Sequence, residues 1–93
     1  MFVGVLQVEL SIPAAFSLKD KRRVVKSLLE RVRRKYGVAA AEVDGLDTWN
    51  RAGLGIATVS NDRRHAQSQL QHVLNELEEE SDAIVVDSQI EVF

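Results

Sequence analysis

The side chains with most capacity for chemistry lie near the start of SLKDKRRVVKSLLERVRRKY, residues 17–36, where Lys19, Lys21, Arg22, Arg23 and Lys26 stand within one short stretch. Lysines and arginines at this density neutralise phosphates, and the free amides of a helix start add to the same field. Lys21 is the odd member, because its helical phase turns it toward the buried side. An ammonium snorkelling to a carboxylate at the core edge is favoured there over a ligand contact. A second group is Asp47-x-Trp49-x-Arg51. The lone tryptophan either covers an open side of the core, the favoured reading, or offers a stacking platform with Arg51 beside it for a phosphate. A third is Ser60-Asn61-Asp62 followed by Arg63-Arg64. Helix capping alone accounts for the first three of these residues.

Catalytic groupings are absent from the pattern. His65 and His72 are seven residues apart, which on a helix separates the imidazoles by about 10 Å, too far to share one ion readily. With Glu76 one turn beyond His72, only a weak surface metal site is conceivable, and exposed polar residues are the better reading. Gly53 and Gly55 fall inside a strand pattern, where close backbone packing explains them better than a phosphate loop. Ser11, Ser17 and Ser60 have no assignable base. Without cysteine there are no thiol nucleophiles, disulfides or thiolate metal sites. The expectation is a protein that is not an enzyme and holds no cofactor or metal.

These groups must be positioned by a chain of 93 residues, which suits one domain spanning residues 1–93. Phe2 to Ile12 alternates as a half-buried strand does, with Gly4, Leu6, Val8, Leu10 and Ile12 on one side. Ser17 and Asp20 form a capping-box pattern, and Val24, Val25, Leu28, Leu29, Val32 and Tyr36 then recur at helical spacing up to Gly37. Lys19, Arg22, Arg23, Lys26, Arg33 and Arg34 share the opposite face. Val38 to Val43 reads as a short second strand. The segment from Asp44 to Asn50 carries turn chemistry, and Ala52 to Ser60 resumes strand character, so these two strands form a hairpin. Ala66, Leu70, Val73, Leu74 and Leu77 define a second helix. Its acidic end, Glu78 to Asp82, opposes the helix dipole and calls for fraying or for cations supplied from elsewhere. Ala83 to Phe93 closes as a strand, with Ile84, Val86, Ile90 and Val92 expected on one face and Val85, Asp87, Gln89, Glu91 and Phe93 on the other.

The order strand, helix, strand, strand, helix, strand predicts an α+β, ferredoxin-like βαββαβ sandwich with a four-stranded antiparallel sheet and both helices on one face. Both helices are expected to start at the same end of the sheet, since each follows a strand of a crossover unit. Arg63 and Arg64 would then extend the patch formed by Lys19, Arg22, Arg23 and Lys26. RNA-recognition domains share the strand order but stack bases on aromatics of their central strands, which are lacking here. The open sheet face is instead partly apolar and is a candidate surface for self-association.

Charge distribution supports a polarised surface. The formal net charge is −2, yet nine of the twelve Lys and Arg lie between Lys19 and Lys35, and none follows Arg64. Such asymmetry attracts an anionic partner at one end or favours head-to-tail association, although a solubilising surface explains it equally well. No signal-peptide pattern or long apolar run is seen, so a cytoplasmic setting without a membrane partner is expected.

The linked motifs SLKDKR, D-x-W-x-RA and VSND resemble those of the YlxP family of small bacterial proteins, over essentially the whole chain. The matching positions are Ser17, Leu18, Lys19, Asp20, Lys21 and Arg22; Asp47, Trp49, Arg51 and Ala52; and Ser60, Asn61 and Asp62. The resemblance implies a ferredoxin-like fold in a bacterial cytoplasm. It also implies a ribosome-associated role, because family genes often neighbour those for translation initiation and small-subunit maturation. No catalytic residue can be carried over from it. The leading expectation is a non-enzymatic accessory factor on structured RNA or the small ribosomal subunit, with Lys19, Arg22, Arg23, Lys26, Trp49, Arg51, Arg63 and Arg64 as its contacts. The alternative is a homo-oligomeric protein-interaction module without nucleic-acid binding. A small-ligand sensor would need a pocket near Lys21 and Trp49.

Overall fold

The computed structural model describes residues Met1–Phe93. Six elements follow one another: β1 (Phe2–Ser11), α1 (Leu18–Tyr36), β2 (Ala39–Asp44), β3 (Arg51–Ser60), α2 (Arg63–Glu78) and β4 (Ile84–Val92). The sheet order is β2-β3-β1-β4, and each neighbouring pair is antiparallel. The expected ferredoxin-like arrangement is therefore the one found.

The helices begin and end where side-chain chemistry dictates. Ser17 Oγ accepts the Asp20 N–H at 3.1 Å, and Asp20 Oδ2 in return accepts the Phe16 N–H at 3.2 Å. Gly37 closes α1 at φ 63°, a conformation glycine adopts without Cβ cost, and its N–H reaches Arg33 O at 2.9 Å. Asp62 caps α2 by accepting from the N–H groups of Arg64 and His65.

One core fills the space between sheet and helices. Leu6, Val8, Leu10, Leu54 and Ile56 from the sheet meet Val25, Leu28, Val32, Leu70, Val73 and Leu77 from the helices. Expected apolar faces and observed buried faces agree for β1, α1 and α2. In β4 they differ. The register between β1 and β4 shifts between Glu9 and Leu10, leaving Val86 as the unpaired residue of a bulge. The bulge inverts the alternation, so Val85 packs on the core with Ile90 while Ile84 and Val86 are exposed. Strict period-two counting cannot see an inserted residue, which is why the expected faces failed there.

Candidate nucleic-acid interface

The end of the sheet where β1 finishes is built from three segments. Ser11 lies opposite Arg51, and the Ile12 N–H continues the pairing by donating to Asn50 O at 2.8 Å. The start of α1 and the β2–β3 turn are thereby brought to one end. Lys21 fastens them together. Its ammonium, fully buried, donates to Glu42 Oε2 at 2.7 Å, to Gly45 O at 2.7 Å and to Leu46 O at 3.3 Å. Three donors meet three acceptors, so Lys21 has no hydrogen left for a ligand. The favoured sequence reading, a lysine paired with a carboxylate at the core edge, is what the structure contains, and Lys21 lines none of the main surface depressions.

Along the outer face of α1, Lys19, Arg22, Arg23 and Lys26 cluster within about two turns, with Arg22 and Arg23 each three or four residues from both lysines, and all are exposed. None is held by a carboxylate of the chain, since every ion pair involves Lys21, Arg31, Lys35 or Arg51. Trp49 lies in the β2–β3 turn at the same end of the domain, 45% exposed. Arg51 is at the same end but is paired with Glu9 across β1 and β3. Its charge is therefore already answered within the fold.

Arg63 and Arg64 do not extend this patch. Because β1 and β3 run antiparallel, the chain leaves them at opposite ends of the sheet, and Ser60 lies opposite Phe2 rather than near Ser11. The helices that follow start at opposite ends. Arg63 donates to Val92 O at 3.1 Å and sits over the Phe2 ring, 5.1 Å from its centroid. The expectation of a shared end went wrong by treating β1 and β3 as though they entered their crossovers in the same direction.

A family model described as "Protein of unknown function (DUF503)" matches residues 3–90. The chain belongs to the DUF503 family. It is similar to the uncharacterized protein YlxP of Bacillus subtilis (strain 168), with 43% identity over 72 residues that cover 77% of this chain and 78% of that relative. Among solved structures it is similar in fold to a de novo designed protein with ferredoxin fold. That likeness has a TM-score of 0.56 at 14% identity and covers all of this chain and 84% of the design.

Of the remaining cations on α1 of this DUF503 chain, Arg34 is exposed and unpaired, and the others have internal work. Arg33 donates through Nε and Nη2 to Ala40 O, at 3.0 and 2.5 Å, clamping the α1–β2 connection. Arg31 reaches Glu80 Oε2 at 2.5 Å and lies 3.2 Å from Glu76 Oε2. Lys35 Nζ donates to Glu76 Oε1 at 2.6 Å, and Tyr36 Oη donates to the same oxygen at 2.9 Å. These are the cations that the acidic end of α2 required, and they come from the neighbouring antiparallel helix. The Lys35 hydrogen bond holds Glu76 below the usual carboxylate range, and the Arg31 hydrogen bond does the same to Glu80. Burial, reinforced by the hydrogen bond to Glu76, pushes the Tyr36 phenol up.

Lys19, Arg22, Arg23 and Lys26, with Arg34 farther along the helix, are thus the free cations on the α1 side of the domain. Asp82 shares a shallow depression with Arg23, Asp20 and Val24 and marks the margin toward the acidic end of α2. The sheet face away from the helices carries Val3, Val5, Ala39, Ala41, Val43, Ala57 and Val59 in one part, and Gln7, Glu9, Asp87 and Gln89 in another. His65 and His72 are exposed on α2. No helix is long and apolar enough to cross a membrane. Sequence reasoning missed Phe16, which is 80% exposed at this same end. The signal was present: a hydrophobic residue just before an N-cap normally staples onto the fourth helical residue, and here that residue is Lys21.

Proposed function

We propose that this chain is a non-enzymatic accessory factor that docks on structured RNA or a ribonucleoprotein, the small ribosomal subunit being the assembly to which the family resemblance points. Lys19, Arg22, Arg23 and Lys26 neutralise phosphates along the outer face of α1, with Trp49 at the margin. The supporting observation is that these four cations have no carboxylate partner in the fold while Arg31, Lys35 and Arg51 all do. Arg63 and Arg64 lie at the far end and are contacts only for an RNA that wraps the domain. The test is binding to ribosomal RNA fractions at varied salt. Four phosphate contacts give a log–log slope of about −2.8 to −3.6, so affinity falls on the order of 50- to 150-fold between 50 and 200 mM salt. Reversing Arg22 and Arg23 to Glu weakens binding and flattens that slope while the protein remains folded. Absence of any retention at low salt overturns the proposal.

A second reading is favoured by the uncovered apolar part of the sheet face, where Val43 and Val59 are exposed. In it the protein is a homo-oligomer through that face, without nucleic acid. Light scattering together with RNA retention separates the two: a stable oligomer that retains no RNA at low salt favours the second, whereas salt-sensitive retention of RNA, by a monomer or an oligomer, favours the first.

A further inference from the structure

The cationic stripe answers phosphates but says nothing of how bases are met; two exposed aromatic side chains at the same end of the domain can. We propose that Phe16 and Trp49 are the two stacking surfaces of this site, so that it takes unpaired nucleotides, single-stranded or looped out of a structured RNA, in preference to a continuous duplex. This rests on the RNA reading above.

Phe16 is exposed by construction. Ala15, immediately before it, is buried, and the Phe16 N–H is tied to Asp20 Oδ2 at 3.2 Å. The residue is thus held between an anchored neighbour and a capped helix. The partner that would cover its ring, the fourth residue of α1, is Lys21, whose side chain is turned inward to Glu42 and the turn carbonyls. Among the large hydrophobic residues only Met1 is left more open to solvent.

Trp49 is brought to the same end by the same lysine. Lys21 holds the carbonyls of Gly45 and Leu46, the Thr48 N–H closes onto Gly45 O at 3.0 Å, and Asn50 O receives the Ile12 N–H. The turn that carries the indole is therefore fixed to the segment leading into Phe16. Lys19 follows Phe16 by three residues, with Arg22 and Arg23 one turn farther along the helix. Exposed rings at the same end as free guanidinium and ammonium groups suit a flexible strand, whose bases stack on aromatics while its phosphates meet the cations. In a continuous duplex the base faces are occupied by one another and have no use for either ring. The rings lie outside the sheet face, so this arrangement differs from that of RNA-recognition domains.

Trp49 is the sole tryptophan, so its fluorescence reports on this site alone. The experiment titrates the full chain at 50 mM salt with a ten-nucleotide single-stranded RNA and, separately, with a duplex of the same length, following both tryptophan emission and the anisotropy of labelled RNA. The expected result is quenched Trp49 emission and tighter binding for the single strand. Phe16→Ala should weaken single-strand binding about tenfold and leave duplex binding unchanged. Phe16 is on the surface, so this variant keeps its fold, and it tests the idea independently of any Trp49 substitution. Equal affinity for both RNAs, with unaltered emission and no effect of Phe16→Ala, overturns the stacking inference while leaving the electrostatic reading in place. Failure of both RNAs to bind overturns the RNA reading and this inference with it. A Phe16-dependent dimer without RNA, detected by light scattering, also overturns it.

Discussion

Replacing Lys21 with Met tests how α1 and the β2–β3 turn are held together. Methionine keeps most of the aliphatic stem and so leaves little cavity, but it removes every donor. Glu42 Oε2, Gly45 O and Leu46 O then lose partners now at 2.7, 2.7 and 3.3 Å. Breaking a buried ion pair from one side costs about 3–5 kcal/mol. The Glu42 side chain retains 12% exposure and recovers some hydration, which places the expected cost at the lower end, about 3 kcal/mol. For a domain of this size that is a drop in Tm of roughly 12–20 °C and a large share of total stability. Urea unfolding, with an unchanged m-value, measures it. The double variant Lys21→Met with Glu42→Met removes the stranded charge and should recover at least about 1 kcal/mol relative to Lys21→Met. A loss below about 1 kcal/mol in the single variant, or strictly additive losses in the double, would refute the account of Lys21 as the tie between the two segments. The single variant should also shift Trp49 emission to the red, because the turn carrying it loses its anchor.

The interhelical cluster predicts a pH dependence. Glu76 and Glu80 are held below their ordinary value of 4.5, so their stabilisation is present above about that pH and disappears as pH falls through the lowered folded values. Urea midpoints should fall on acidification below about pH 5, and Glu76→Gln, costing about 1 kcal/mol near neutrality, should make that fall shallower. A midpoint profile identical to that of the parent protein would contradict the assignment. At Gly53 an added Cβ would lie 2.8 Å from Asp44 Cβ, where the register of β2 shifts. Gly53→Ala should therefore displace the end of β2 and destabilise by about 1–3 kcal/mol, measured by thermal unfolding. Tolerance of alanine there would show that β2 yields more easily than its pairing implies.

Much of the architecture was legible from local pattern. The alternation of β1, the capping signals at Ser17 and Asp62, the glycine stop at Gly37 and the apolar spacing of both helices specify elements whose order admits few sheet topologies. These features depend on residues within a turn or two of each other, which is why they survive without tertiary information. The bulge at Val86 did not show itself, because an unpaired residue is defined only by the strand opposite it.

Sequence alone determined that a strongly cationic helix face stands opposite an apolar one, and that Lys21 points the wrong way for a solvent-facing lysine. Only the tertiary structure decided which cations remain free. Arg31 and Lys35 are claimed by α2, Arg33 by Ala40, Arg51 by Glu9 and Lys21 by the turn; Arg34 stays unpaired, and the antiparallel pairing of β1 and β3 carries Arg63 and Arg64 to the other end. Helical phase is a property of neighbours along the chain. The partner of a charge is set by strand direction and helix packing across tens of residues, and no local count can supply it.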